Sequence, residues 1–105
     1  SLTGDTKVIT SQGEKIYNAE ELGKRTVSAA DISGGNSVEE AAAIFRNILK
    51  GKGTWAQNAV VLANAAMALQ CTGKYSNYEA CYQAAVASLE SGAANDSFNK
   101  LISLQ

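Results

Sequence analysis

Ser33-Gly34-Gly35-Asn36-Ser37 stand immediately before a helix start, where small residues leave backbone N–H groups open to an anion. The exposed donors and the helix dipole both favour phosphate at such a point. The run lacks the glycine spacing of a dinucleotide fingerprint and the Lys of a P-loop, so a plain turn leading into the helix is the preferred reading. Cys71 and Cys81 are the next candidates, with nine residues between them. The chain has no His and no third Cys, so the pair does not complete a structural zinc site. They read as reduced thiols packed as small apolar groups, in preference to a disulfide.

Glu20-Glu21 and Glu39-Glu40 are adjacent carboxylates, and neighbouring residues on a helix point apart. Neither pair makes a two-carboxylate site, whereas the N-terminal turn of a helix attracts acids in any case. The missing His also removes the usual general base near neutral pH. Trp55, Tyr75, Tyr78 and Tyr82 would suit base stacking only beside a basic groove. Nine Lys and Arg against ten Asp and Glu give a net charge of -1, which argues against nucleic acid and anionic membranes as partners. The aromatics therefore read as packing residues. Asn64, alone in an apolar run, reads as a structural hydrogen bond between elements, because a buried amide left unpaired costs roughly 1–3 kcal/mol. No catalytic, substrate-binding or metal-ligating residue is assigned, and no cofactor is expected to be held by this segment alone.

The element that must position everything else is Thr54 to Gln70. Between Ala59 and Leu69 only Asn64 is polar, so the spacing predicts a helix apolar all round, with neighbours on every side. Its apolar core has roughly half of the about 20 residues that a membrane span needs, so the neighbours are protein. Ahead of it, Lys7–Thr10 and Lys15–Tyr17 flank Ser11-Gln12-Gly13-Glu14 and predict a β-hairpin over residues 1–17. An isolated hairpin is marginal in water, so it should lie on the helices or join a larger sheet.

Residues 18–36 read as a connector, with one helical turn at Ala19-Glu20-Glu21-Leu22 ended by Gly23. Residues 37–105 read as a helical layer. Ser37 and Glu40 form a capping box, and Val38, Ala41, Ala42, Phe45, Ile48 and Leu49 mark the buried stripe of the helix that follows, leaving Arg46 and Asn47 in water. Thr54 caps the central helix. Ser76 and Glu79 form a second capping box, ahead of the stripe Tyr78, Cys81, Tyr82, Ala85, Val86 and Leu89, which Gly92 ends. Asp96 or Ser97 caps a short last helix with Phe98, Leu101 and Ile102 inward. The fold class is thus α+β and mainly helical, a hairpin followed by about four helices. The chain lacks a secretory signal, which makes the cytoplasm the default compartment, and its start at Ser1 without Met reads as a cut.

The ordered set Gly13-Glu14-Lys15-Ile16, Ala19-Glu20-Glu21-Leu22-Gly23, Gly34-Gly35-Asn36, Glu39-Glu40-Ala41-Ala42-Ala43-Ile44 through Gly51, and Val60-Val61-Leu62-Ala63-Asn64-Ala65-Ala66 resembles the C-terminal third of the anthranilate phosphoribosyltransferase family. Gly73 to Glu79 and Ala84 to Gly92 extend the resemblance over essentially the whole chain. It departs from the family pattern at Ala19, where a Pro is common, at Ala41, where an Asn is frequent, and at Gln57-Asn58, where Arg-Asp is frequent.

The resemblance implies part of a larger α/β phosphoribosyltransferase domain, in an enzyme that transfers phosphoribose from phosphoribosyl pyrophosphate to anthranilate with Mg²⁺ in tryptophan biosynthesis. It also implies that the diphosphate loop, the substrate contacts and the acidic metal pair lie upstream, the last immediately before Ser1, and that Ser1–Asp5 stand nearest to the metal chemistry. The segment alone is expected to be inactive, with the upstream part of the same enzyme as its partner and a homodimer formed through a separate N-terminal domain. Two other readings stay open: a helical protein-interaction or structural module, and a related phosphoribosyltransferase with another acceptor.

Overall fold

The computed structural model describes residues 1–23 and 25–105, so Lys24, inside the expected connector, lies outside the described residues. Strands β1 (Thr6–Thr10) and β2 (Gly13–Tyr17) pair antiparallel, from Thr6 opposite Tyr17 to Thr10 opposite Gly13. Ser11 and Gln12 make the two-residue turn. Gly13 closes it at φ +120°, a conformation that a side chain would strain. Among the described residues the sheet has these two strands only.

Among the described residues five helices follow: α1 (Ala19–Gly23), α2 (Val38–Leu49), α3 (Trp55–Cys71), α4 (Tyr78–Glu90) and α5 (Ala93–Ser103), with a 3₁₀ turn at Ala30–Ile32. The mainly helical α+β reading holds, with one helix more because the turn at Ala19 is itself a helix. Helix α3 is the hub. Its residues enter all three apolar clusters: Ala59 and Ala63 meet Leu2, Ala19, Leu22 and Val27; Val61 and Leu62 meet Ile48, Leu49 and Leu89; Ala66 meets Cys81 and Tyr82.

The fully buried positions of α3 are Ala59, Ala63 and Ala66, four and three residues apart. That spacing puts three methyl-sized side chains on one face, which lets α1 and α4 come close. The helix is not covered all round, however. Asn64 and Ala68 are exposed, and the Asn64 amide donates to the Val60 carbonyl 2.8 Å away in the same helix. The expected bond between elements is therefore a local one, because the turn behind Asn64 lies within reach of its side chain.

Capping differs from the sequence pattern in three places. Ser37 Oγ accepts from the Glu40 N–H at 3.1 Å, but the Glu40 carboxylate returns to the Asn36 N–H at 2.6 Å instead of to Ser37. Asn77, not Ser76, caps α4 by accepting from the Ala80 N–H at 2.8 Å. Helix α5 begins at Ala93, ahead of Asp96 and Ser97, because Gly92 at φ +85° ends α4 and lets the chain resume helix after a single left-handed residue. Thr54 and Gln57 form the reciprocal box at the start of α3.

The stripe of α4 is inward as expected. That of α2 is inward only at its end: Ile48 and Leu49 are buried, while Val38, Ala41, Ala42 and Phe45 are exposed. In α5 Phe98 packs inward, whereas Leu101 and Ile102 are 54% and 42% exposed. Arg46 and Asn47 are exposed. No described helix is long and apolar enough to cross a membrane.

Candidate functional site

Ser1–Asp5 form a short polar lead into β1, fixed by one apolar side chain. Leu2 is only 2% exposed, wedged among Ala19, Leu22, Val27, Ala59 and Ala63. Its carbonyl accepts from the Val27 N–H at 3.0 Å. Gly23 packs so closely on Leu2 that a Cβ there would collide with the leucine side chain. Around this anchor Thr6 Oγ1 donates to the Ser1 carbonyl at 3.2 Å, and the Thr3 N–H donates to Ser1 Oγ at 3.3 Å. Ser1 is thereby tied to Thr3 and Thr6 beside the Leu2 anchor.

A second tie secures the same corner. The Tyr78 hydroxyl, at the start of α4, donates to the Leu22 carbonyl at 2.7 Å. Its ring centroid lies 6.4 Å from that of Tyr17 and 6.1 Å from that of Tyr82. Burial, reinforced by Tyr82 and Glu79, pushes the Tyr78 hydroxyl up to about 12. Tyr78 and Tyr82 are the packing residues expected; Tyr75 is 40% exposed and does not enter a cluster.

Trp55 does not pack inward either. Arg25 lies over its ring at 3.6 Å from guanidinium to centroid, an arrangement in which cation and indole face attract. The pair borders a shallow cavity of about 470 Å³ with Thr54 and Asp31. Ser28, bonding through side chain and backbone, holds the Asp31 carboxyl below its ordinary value, and Arg25 adds to the effect. A carboxylate beside the arginine makes the cavity a poor seat for an anion.

The loop Ser33–Ser37 closes on itself. Ser33 Oγ accepts from the Gly35 N–H at 3.3 Å, and Glu40 takes the Asn36 N–H. The Glu40 carboxylate thus stands where a phosphate would have to sit, as in a plain helix-leading turn. Cys81 is buried and Cys71 exposed, and both are free thiols. Glu20 and Glu21 lie in the first turn of α1, and Glu39 and Glu40 in that of α2. Among the described residues no three His, Cys, Asp or Glu side chains gather as a metal site would require. The Leu2 anchor and the Arg25–Trp55 stack went unseen in the sequence, since a lone Leu among Ser, Thr, Gly and Asp carries no periodic signal.

The structure ties its first residues into a corner through Leu2, Gly23, Val27 and Tyr78. Residues 1–95 match the glycosyl transferase family, a/b domain, and the chain belongs to that family. Its similar relatives are anthranilate phosphoribosyltransferases. The one from Christiangramia forsetii is 50% identical over 101 residues, 96% of this chain and 30% of that protein. Those of Flavobacterium johnsoniae and Phocaeicola vulgatus are 48% and 41% identical over 96% and 99% of the chain, equal to 30% and 31% of their own lengths. The chain thus spans about three tenths of the curated relatives that it matches. No solved structure matches it significantly.

Proposed function

We propose that the chain is the C-terminal structural segment of an anthranilate phosphoribosyltransferase, one that transfers phosphoribose from phosphoribosyl pyrophosphate to the amine of anthranilate and releases pyrophosphate. The observation that carries the reading is identity of up to 50% over nearly the whole chain to proteins of that name. The segment's part is positional. Leu2, gripped by Gly23 and Val27, fixes the residues that join it to the upstream chain, where the family resemblance puts the acidic metal pair. Rigid support of this kind matters in a reaction whose catalysis rests on orientation and charge stabilisation, since about 1 Å of misplacement can cost on the order of 100-fold in rate.

Bound Mg²⁺ would supply charge stabilisation for the departing diphosphate. The residues of this segment do not fit a metal site, because Asp5 has no two ligand-type partners among the described residues, so no step is routed through a metal held here. The full-length protein is read as a cytoplasmic homodimer joined through a separate N-terminal domain, and the segment alone as inactive.

The test is loss of anthranilate fluorescence by the full-length protein with phosphoribosyl pyrophosphate and Mg²⁺. Turnover of anthranilate supports the assignment. Pyrophosphate release with a different acceptor, and none with anthranilate, would assign a related transferase instead.

A further inference from the structure

The ends of α2 and α4 meet at a cavity of about 480 Å³, beside the start of α5. That volume lies within the roughly 300–1,000 Å³ of small-molecule sites. Leu62, Val86 and Leu89 give the cavity an apolar wall. Lys50, just past the end of α2, and Glu90, the last residue of α4, border it with opposite charges. Neither forms an ion pair among the described residues.

The polar groups around the cavity sort by sign. Two helices, α2 and α4, end here with their carbonyl groups, so their dipoles join the Glu90 carboxylate in favouring a cation. Asn58 borders the cavity as well, and its Oδ1 is buried with no donor, an unmet demand that an N–H group of a ligand would fill. Helix α5 begins at the same place. Gly92, its N-cap, has no side chain with which to cap, so the first-turn N–H groups, together with the Lys50 ammonium, favour an anion.

We propose that this cavity binds a free α-amino acid with an apolar side chain. The ligand's carboxylate pairs with Lys50 and the first turn of α5, its ammonium with Glu90 and, after a half-turn of the amide, with Asn58 Oδ1. Its side chain lies against Leu62, Val86 and Leu89. A simple anion or a simple cation leaves one of the two charged groups unanswered, and glycine leaves the apolar wall bare. The proposal does not depend on the transferase assignment.

The test is isothermal titration of the full-length protein with L-leucine. Glycine, 4-methylpentanoate and 3-methylbutylamine serve as comparison probes, each lacking one of the three features that the cavity answers. The proposal expects saturable binding of L-leucine, and binding at least about tenfold weaker for each of the other three. It expects Lys50→Met and Glu90→Gln, both at exposed positions, each to weaken L-leucine binding at least about tenfold. No saturable binding at millimolar L-leucine overturns it. Binding that both variants leave unchanged overturns it too, by placing the amino acid elsewhere in the protein, and so does a single-charge probe that binds as well as L-leucine. Anthranilate turnover is measured separately: its absence removes the functional reading above and leaves the binding result standing.

Discussion

The Tyr78 hydroxyl and the Leu22 carbonyl are 56 residues apart in sequence and 2.7 Å apart in space. This one bond joins the start of α4 to the end of α1, and with it the late helices to the corner that holds Leu2. Tyr78→Phe keeps the ring packing and deletes only the donor. A net loss of about 0.5–1.5 kcal/mol in unfolding free energy is expected, measured by urea denaturation.

The same tyrosine gives a pH dependence. Its folded value, about 12, lies above the ordinary 10.0, so the folded state keeps a proton that the unfolded state gives up. The contribution is intact below pH 10 and is lost as pH rises from about 10 to about 12. The stability difference between the parent chain and Tyr78→Phe should therefore shrink across that window. A difference that stays constant or grows would contradict the assignment.

Leu2 and Gly23 fit as knob and hollow. Gly23→Ala should destabilise by about 1–3 kcal/mol through overpacking. Leu2→Ala should cost about 2–5 kcal/mol through the cavity it leaves. Combined, the two should cost less than their sum, because the added methyl moves into the vacated space. Thermal unfolding of the four proteins in this cycle measures the coupling, and strict additivity would show that the two residues do not meet.

At the start of α4 the cap is a choice between neighbours. Asn77→Ala should lower stability by about 1 kcal/mol. Ser76→Ala should fall within about 0.5 kcal/mol of the parent, as for an ordinary surface change. The reverse order in a denaturation experiment would restore the Ser76 capping box.

These contrasts show what the sequence carried. Helix positions followed from apolar spacing and punctuation, as at Thr54 and Gly92, because both signals are local. The choice of cap did not, since Ser76 with Glu79 and Asn77 alone are equally good local patterns, and the structure uses Asn77. The stripe of α2 was legible as apolar but not as uncovered, because periodicity tells which face seeks a partner and not whether the partner is present. Leu2 was illegible for a different reason: its burial depends on contacts with Val27 and Ala59, far along the chain, and a single residue has no period. The family resemblance reached further than the pattern reading, since it drew on the order of many modest motifs at once.

The central claim is that this segment supports a site it does not contain. The direct measurement is anthranilate fluorescence loss with phosphoribosyl pyrophosphate and Mg²⁺, using the segment alone, the separately expressed upstream part alone, and the two mixed. The account predicts turnover in the mixture and none from the segment by itself. Turnover by the segment alone would contradict it, as would an upstream part that reaches full activity unaided.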